Sequence, residues 1–267
     1  MLARLARLLA FLGLALLTLL AAAFGFVQTG FAKSRLETML ERTLAGETGG
    51  AEVRGLSGLL PFAVRLERLR LADAEGVWLE IDDARIDLAP TALLAGRVEL
   101  REASAGRVAV HRLPPGEREA EPATAGLREL PALPESLPPV ALERLALPRV
   151  ELGAPVLGKA AVLAVEGRAA VAPDGRGASA TLALRRTDQA TAEASLEAGL
   201  DLAGRALALR LEGSERGGLV AAATGLPRAG EARLRIVGEG PLARWRASLA
   251  ASLERVGALD GTLALDL

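Results

Sequence analysis

The chain has 267 residues, with 32 Lys and Arg against 33 Asp and Glu and a formal net charge of -1, so no basic surplus draws it to nucleic acid. It has no cysteine, which excludes disulfides and thiolate metal sites. Hydrophobic residues reach 51% but aromatics only 3%, so Leu, Ala and Val carry the apolar content.

Arg4 and Arg7 precede an uncharged run over residues 8–32. As a helix it is long enough to cross a hydrocarbon core of ~30 Å with some tilt. Leu8, Phe11, Leu14, Leu17, Leu20, Phe24 and Phe26 are the expected anchor positions. Ala21, Ala22 and Ala23 also offer the small-residue site of a cleavable leader. The run continues past them through Phe24, Phe26, Val27 and Phe31, which favours a retained anchor. Either reading leaves the first residues in the cytoplasm and the bulk of the chain outside it. Residues 1–32 are therefore read as cytoplasmic tip and transmembrane anchor.

Residues 33–50 read as a short amphipathic helix. Ser34 and Glu37 have the spacing of a capping box, Leu36, Met39, Leu40 and Leu44 follow at helical intervals, and Gly46, Gly49 and Gly50 end it. A helix that caps the next domain is favoured over one lying in the membrane interface, because the latter needs a more basic polar face than Glu37, Glu41 and Arg42 supply.

From residue 51 the period changes to two. Phe62, Val64 and Leu66 alternate with polar or small residues, as do Val77, Leu79 and Ile81, then Ile86 and Leu88, Val98 and Leu100, and Val108 and Val110. These are short, half-buried strands of an antiparallel sheet. Residues 73–76 form a turn, and Pro90 opens a helical turn that Gly96 stops. Residues 51–112 are a first β segment. Residues 113–140 hold seven of the fourteen prolines and read as a linker or long loop.

Residues 141–267 resume the alternation as a second β segment, from Leu145 and Leu147 to Leu263. Pro173-Asp174-Gly175, Gly217-Gly218 and Asp260-Gly261 are the expected turns. The final strand runs to the C-terminus with nothing to cover its edge, so the chain is expected to be the front part of a longer protein.

No chemistry-bearing constellation emerges. His111 is the single histidine and reads as a strand-end polar residue, and Asp82 and Asp83 point to opposite faces of a strand. The expectation is a non-enzyme without catalytic residues, metal or cofactor. The apolar face has three possible fates: a sandwich core, an outer-membrane barrel, or a long open groove. A barrel lacks its aromatic girdles here. The scarcity of aromatics also argues against a thick sandwich core without excluding it. An open groove of Leu, Val, Ile and Ala would suit acyl chains, at about 0.8 kcal/mol for each CH₂ buried.

The ordered string Thr29-Gly30, Leu36, Leu40, Val53-x-Gly55-Leu56-Ser57-Gly58, Pro61, Arg65-Leu66, Leu69-x-Leu71-Ala72-Asp73, Gly76-Val77-Trp78-Leu79, Ile81-Asp82-Asp83-Ala84, Leu93-Leu94-x-Gly96-Arg97-Val98 and Val108-x-Val110-x-Arg112 resembles the N-terminal region of the TamB family. These are inner-membrane subunits of the translocation and assembly module, in the AsmA-like group. The match covers about a third of the chain; residues 141–267 share only the style of successive short strands and a Gly-x-Gly-Pro-Leu…Trp element at residues 238–245.

The resemblance implies a bacterial inner-membrane, single-pass protein crossing the periplasm as a long curved, antiparallel β-groove. It implies phospholipid movement toward the outer membrane, work with the outer-membrane barrel protein TamA, autotransporter secretion and outer-membrane protein assembly. The family's defining C-terminal domain has no counterpart in this sequence, so no TamA-binding residue is carried over. The lipid-facing candidates are Phe62, Val64, Leu66, Val77, Leu79, Ile81, Ile86, Leu88, Val98, Leu100, Val108 and Val110. The alternatives are an assembly scaffold that carries no lipid, or a periplasmic β-sandwich binding module.

Overall fold

The computed structural model describes residues 28–45, 49–114, 136–188, 190–216, 218 and 230–265. The seven anchor positions between Leu8 and Phe26, and most of the Pro-rich segment, lie outside the described residues. Among the described residues no helix is long and apolar enough to cross a membrane.

Helix α1 (Gly30–Ala45) comes first, then β1 (Gly50–Arg54), β2 (Ser57–Leu59), β3 (Ala63–Asp73), β4 (Gly76–Leu88), a single helical turn α2 (Pro90–Leu94), β5 (Val98–Ser104) and β6 (Arg107–Val110). After the Pro-rich segment follow β7 (Val140–Leu152), a short α3 (Ala154–Leu157) and β8 (Ala161–Val171), β9 (Gly177–Arg186), β10 (Ala192–Asp201), β11 (Ala206–Glu215), β12 (Ala232–Pro241), β13 (Trp245–Leu253) and β14 (Gly257–Leu265). All fourteen strands belong to one sheet, in nearly sequential order from β1 to β14. The two sequence segments on either side of the prolines thus share a single sheet.

That sheet is mixed, which corrects the expectation of an antiparallel one. β7 runs parallel to β5 and β6, with Val98 opposite Val140 and Val108 opposite Val150. A parallel neighbour needs a long return of the chain, and the Pro-rich segment provides it. β5 and β6 occupy one strand position, interrupted at Ala105 and Gly106, and both pair with β4 on its other side.

Three further expectations are corrected. Ile81 and Ile86 lie in one thirteen-residue strand, β4, rather than two short ones. Asp83 between them has φ 54°, and this left-handed residue turns the chain so that both isoleucines stay on one face. Asp260 and Gly261 lie inside β14, opposite Ala250 and Leu249; the turn falls at residues 254–256, where β13 and β14 come into register. Helix α1 starts four residues before Ser34: the Oγ1 of Thr29 accepts the N–H of Ala32 at 3.3 Å, so Thr29 is the cap.

Other expectations hold. Asp73 pairs with Gly76 across the β3–β4 turn, where Asp73 Oδ1 accepts the N–H of Glu75. Asp174 Oδ1 accepts the N–H of Arg176 in the β8–β9 turn.

Candidate functional site

Side chains directly opposite one another in paired strands share a face. Val64 faces Ile86, Ile86 faces Ala103, and Ala103 faces Leu145, which faces Gly167 of β8. Leu69 faces Ile81, Ile81 faces Val108, and Val108 faces Val150, which faces Leu163 of β8. Gly167 and Leu163 lie four residues apart in β8, so both chains of contact end on the same face. Eleven of the twelve candidate positions, from Phe62 to Val110, belong to it; the exception is Val77, which a register slip beside Leu71 places opposite Ala72 and so off this face.

The alternation by itself would have put half of β3 and β4 on the wrong side. Leu66 and Leu69 are three apart, as are Ile81 and Ala84, and each strand carries its extra residue at the same level, so pairing is kept. In β7 the register against β8 slips between Leu142 and Leu145 and again between Leu147 and Val150. Each slip returns the next apolar residue to the common face. Val150, Ala161 and Leu163 are buried there, with Val108, Leu147, Leu152, Val165 and Leu184 packed round them.

The face continues to the far edge. Leu182, Leu196, Leu211, Ile236 and Leu249 form a row across β9 to β13. The adjacent row is small: Leu184, Ala194, Gly213, Leu234, Ala251 and Leu259. Over it opens a cavity of about 630 Å³, walled by Leu253 and Val256 as well. Trp245 lies on this face too, its Nε1–H donating to Leu207 O at 2.9 Å. Its ring runs over Gly238, where a Cβ would collide with Trp245 Cζ2, so this position has no room for a side chain.

Among the described residues no second sheet covers the face, since all the strands belong to one sheet. Ile86 and Val98 stay 43% and 40% exposed. A closed sandwich would have buried them.

The opposite face is charged. Arg68, Arg70, Glu80, Asp82, Arg107 and Glu151 form a ladder over β3, β4, β6 and β7. Arg70 Nε donates to Glu80 Oε1 at 2.7 Å, and Arg107 Nη1 donates to Asp82 Oδ2 at 3.1 Å and Nη2 to Glu151 Oε2 at 2.8 Å. The Arg107 hydrogen bond, opposed by partial burial and helped by Arg149, lowers the Glu151 carboxyl to about 2. Asp82 and Asp83 do not converge: Asp82 is held in this ladder while Asp83 sits at the bend. His111, just past β6, donates its backbone N–H to Trp78 O. A second cavity, about 810 Å³, opens on this polar face beside Glu193, Glu212 and Arg233.

Two charged groups on the apolar side, Arg186 and Glu215, escaped the sequence reading. Arg186 sits opposite Leu163 with its side chain 3% exposed. Its Nε lies 2.7 Å from Asp188 Oδ1, its Nη2 donates to Asp188 Oδ2 at 2.9 Å, and its Nη1 is 3.8 Å from Glu215 Oε1. The signal was available, since Leu182, Leu184 and Arg186 have the same parity.

Comparison with protein-family profiles, characterised proteins and solved structures finds no match to this chain.

Proposed function

We propose that this chain is a membrane-anchored protein of the bacterial periplasm that conducts phospholipid toward the outer membrane, with acyl chains riding on the open apolar face. The observation that supports it most is the apolar face that runs from β3 to β14, broken by the Arg186–Glu215 pair and left uncovered although it holds most of the sheet's Leu, Val and Ile. Exposing apolar area on this scale is unfavourable in water unless something apolar lies on it. An acyl chain gains about 0.8 kcal/mol for each CH₂ it buries there, with no polar contact required.

The resemblance to the TamB family supplies the compartment, the direction toward the outer membrane, the partner TamA and the role in secretion and outer-membrane protein assembly. The apolar run over residues 8–32 supplies the inner-membrane anchor. Photo-crosslinking residues at Leu79, Ile81 and Val98 test the reading in cells. Capture of phospholipid at these positions is expected. Capture of protein alone, or of nothing, would leave a scaffold that carries no lipid.

A further inference from the structure

Helix α1 is turned in an unusual way. Its acidic residues, Glu37 and Glu41, are half-buried against the edge of the sheet. Glu37 Oε1 accepts the backbone N–H of Leu56 at 2.7 Å, and Glu41 Oε1 accepts that of Val53 at 3.0 Å. Lys33 Nζ donates to Gly58 O at 3.0 Å, and Gln28 makes two hydrogen bonds with the backbone of Leu60. Both carboxylates are thus spent on the edge of the sheet.

The sides of the helix left open carry a different chemistry. Met39, Leu40 and Leu44 are 65%, 41% and 44% exposed. At about 100° per residue they fall on one arc, with Leu36 and Thr43 between them. Arg35 and Arg42, both exposed, border that arc beside Met39. An apolar stripe bordered on one side by arginines, with the carboxylates of the other side drawn onto the sheet edge, has the pattern of a helix lying in a lipid interface. The carboxylates that argued against this in the sequence are turned to the edge of the sheet.

We propose that α1 docks flat on a bilayer carrying anionic lipid, with Met39, Leu40 and Leu44 immersed and Arg35 and Arg42 at the headgroups, so that the β1 end of the sheet is held against the membrane. A bilayer is favoured over a protein partner because the uncharged run over residues 8–32, long enough to span one, leads directly into α1. The N-cap at Thr29 starts a new helix at that point, so α1 is free to leave the direction of the segment before it. The inference rests on that run being a membrane anchor, and it concerns docking rather than lipid conduction.

The sequence has no cysteine, so single reporters are clean. The full chain, reconstituted in vesicles of phosphatidylethanolamine and phosphatidylglycerol, is spin-labelled in turn at Met39→Cys, Leu40→Cys, Leu44→Cys and Glu75→Cys. The expected result is an oxygen-to-nickel-chelate collision ratio several-fold higher at the three helix positions than at Glu75. With Arg35→Gln and Arg42→Gln added, the ratio at position 40 should fall toward the Glu75 value. Ratios equal to that at Glu75, on chains that still float with the vesicles, would overturn the docking alone. Protection from nickel without gain in oxygen, or spin–spin broadening between labels, would assign the stripe to a protein partner or a second copy and also overturn it. Chains that fail to float would overturn the anchor and the docking together, and lipid capture at Leu79 reads conduction separately.

Discussion

Glu37 Oε1 and the backbone N–H of Leu56 are 2.7 Å apart, and Glu41 makes the equivalent bond to Val53 one helical turn later. A helix here does what a further strand would do, by meeting the donors of an edge with side-chain acceptors. Leu56 is 8% exposed and Val53 3%, so the donors they carry have little access to water.

Removing both acceptors leaves two nearly buried donors without partners, at about 1–3 kcal/mol each. Glu37→Ala with Glu41→Ala should therefore lower the thermal midpoint and, by freeing the edge, raise self-association in sedimentation. Glu37→Gln with Glu41→Gln keeps an acceptor at each site and should lose much less.

Gly238 and Trp245 make a second dependent pair. Gly238→Ala brings a methyl against the indole, against Ala247 Cβ at 2.6 Å and against Arg246 O at 2.9 Å, and should cost about 1–3 kcal/mol in chemical denaturation. Gly199→Ala meets only Ala208 Cβ at 3.9 Å and should be neutral or slightly stabilising.

Asp83 holds φ 54° at the level where the apolar pattern changes parity. Asp83→Val places a β-branched residue in the left-handed region and should cost about 1–2 kcal/mol. Asp83→Gly should be tolerated. Denaturant midpoints of the two variants check this, and an equal loss in both would mean that the side chain rather than the backbone matters.

Glu151 gives a pH signature. Its carboxyl lies at about 2 in the folded chain against an ordinary value of 4.5, because Arg107 and Arg149 hold the charged form. A lowered folded pKa means stability that is fully present above about 4.5 and lost as the pH falls from there toward 2. Glu151→Gln should lose stability at neutral pH and flatten the decline over that window, measured as the thermal midpoint against pH.

Much of this was legible because one face is apolar throughout, and a period of two reports that directly. The strand hydrophobics from Val64 to Val110 were readable, as were the turns at Asp73 and Asp174. The junctions were not. Ile81 and Ile86 differ in parity, which looks like two strands; only the backbone of Asp83 joins them. The parallel pairing of β5 with β7 depends on where a Pro-rich return brings the chain, which no local pattern encodes. Ser34 and Glu37 fit a capping box in spacing, yet Glu37 serves a strand nineteen residues away. Asp260-Gly261 resembles a turn, but pairing of Leu259 and Leu263 with β13 outweighs that preference. Arg186 shows that an apolar face can hold a charge when carboxylates from two other positions meet it.

The central claim is that lipid lies on one face of this sheet and not the other, and alternation along a single strand tests it most directly. Photo-crosslinkers placed one at a time at Ala247, Ser248, Leu249, Ala250, Ala251 and Ser252 of β13, in the full chain within its membrane, should capture phospholipid at 247, 249 and 251 and not at 248, 250 and 252. Uniform capture at all six positions, or capture at none, would contradict it.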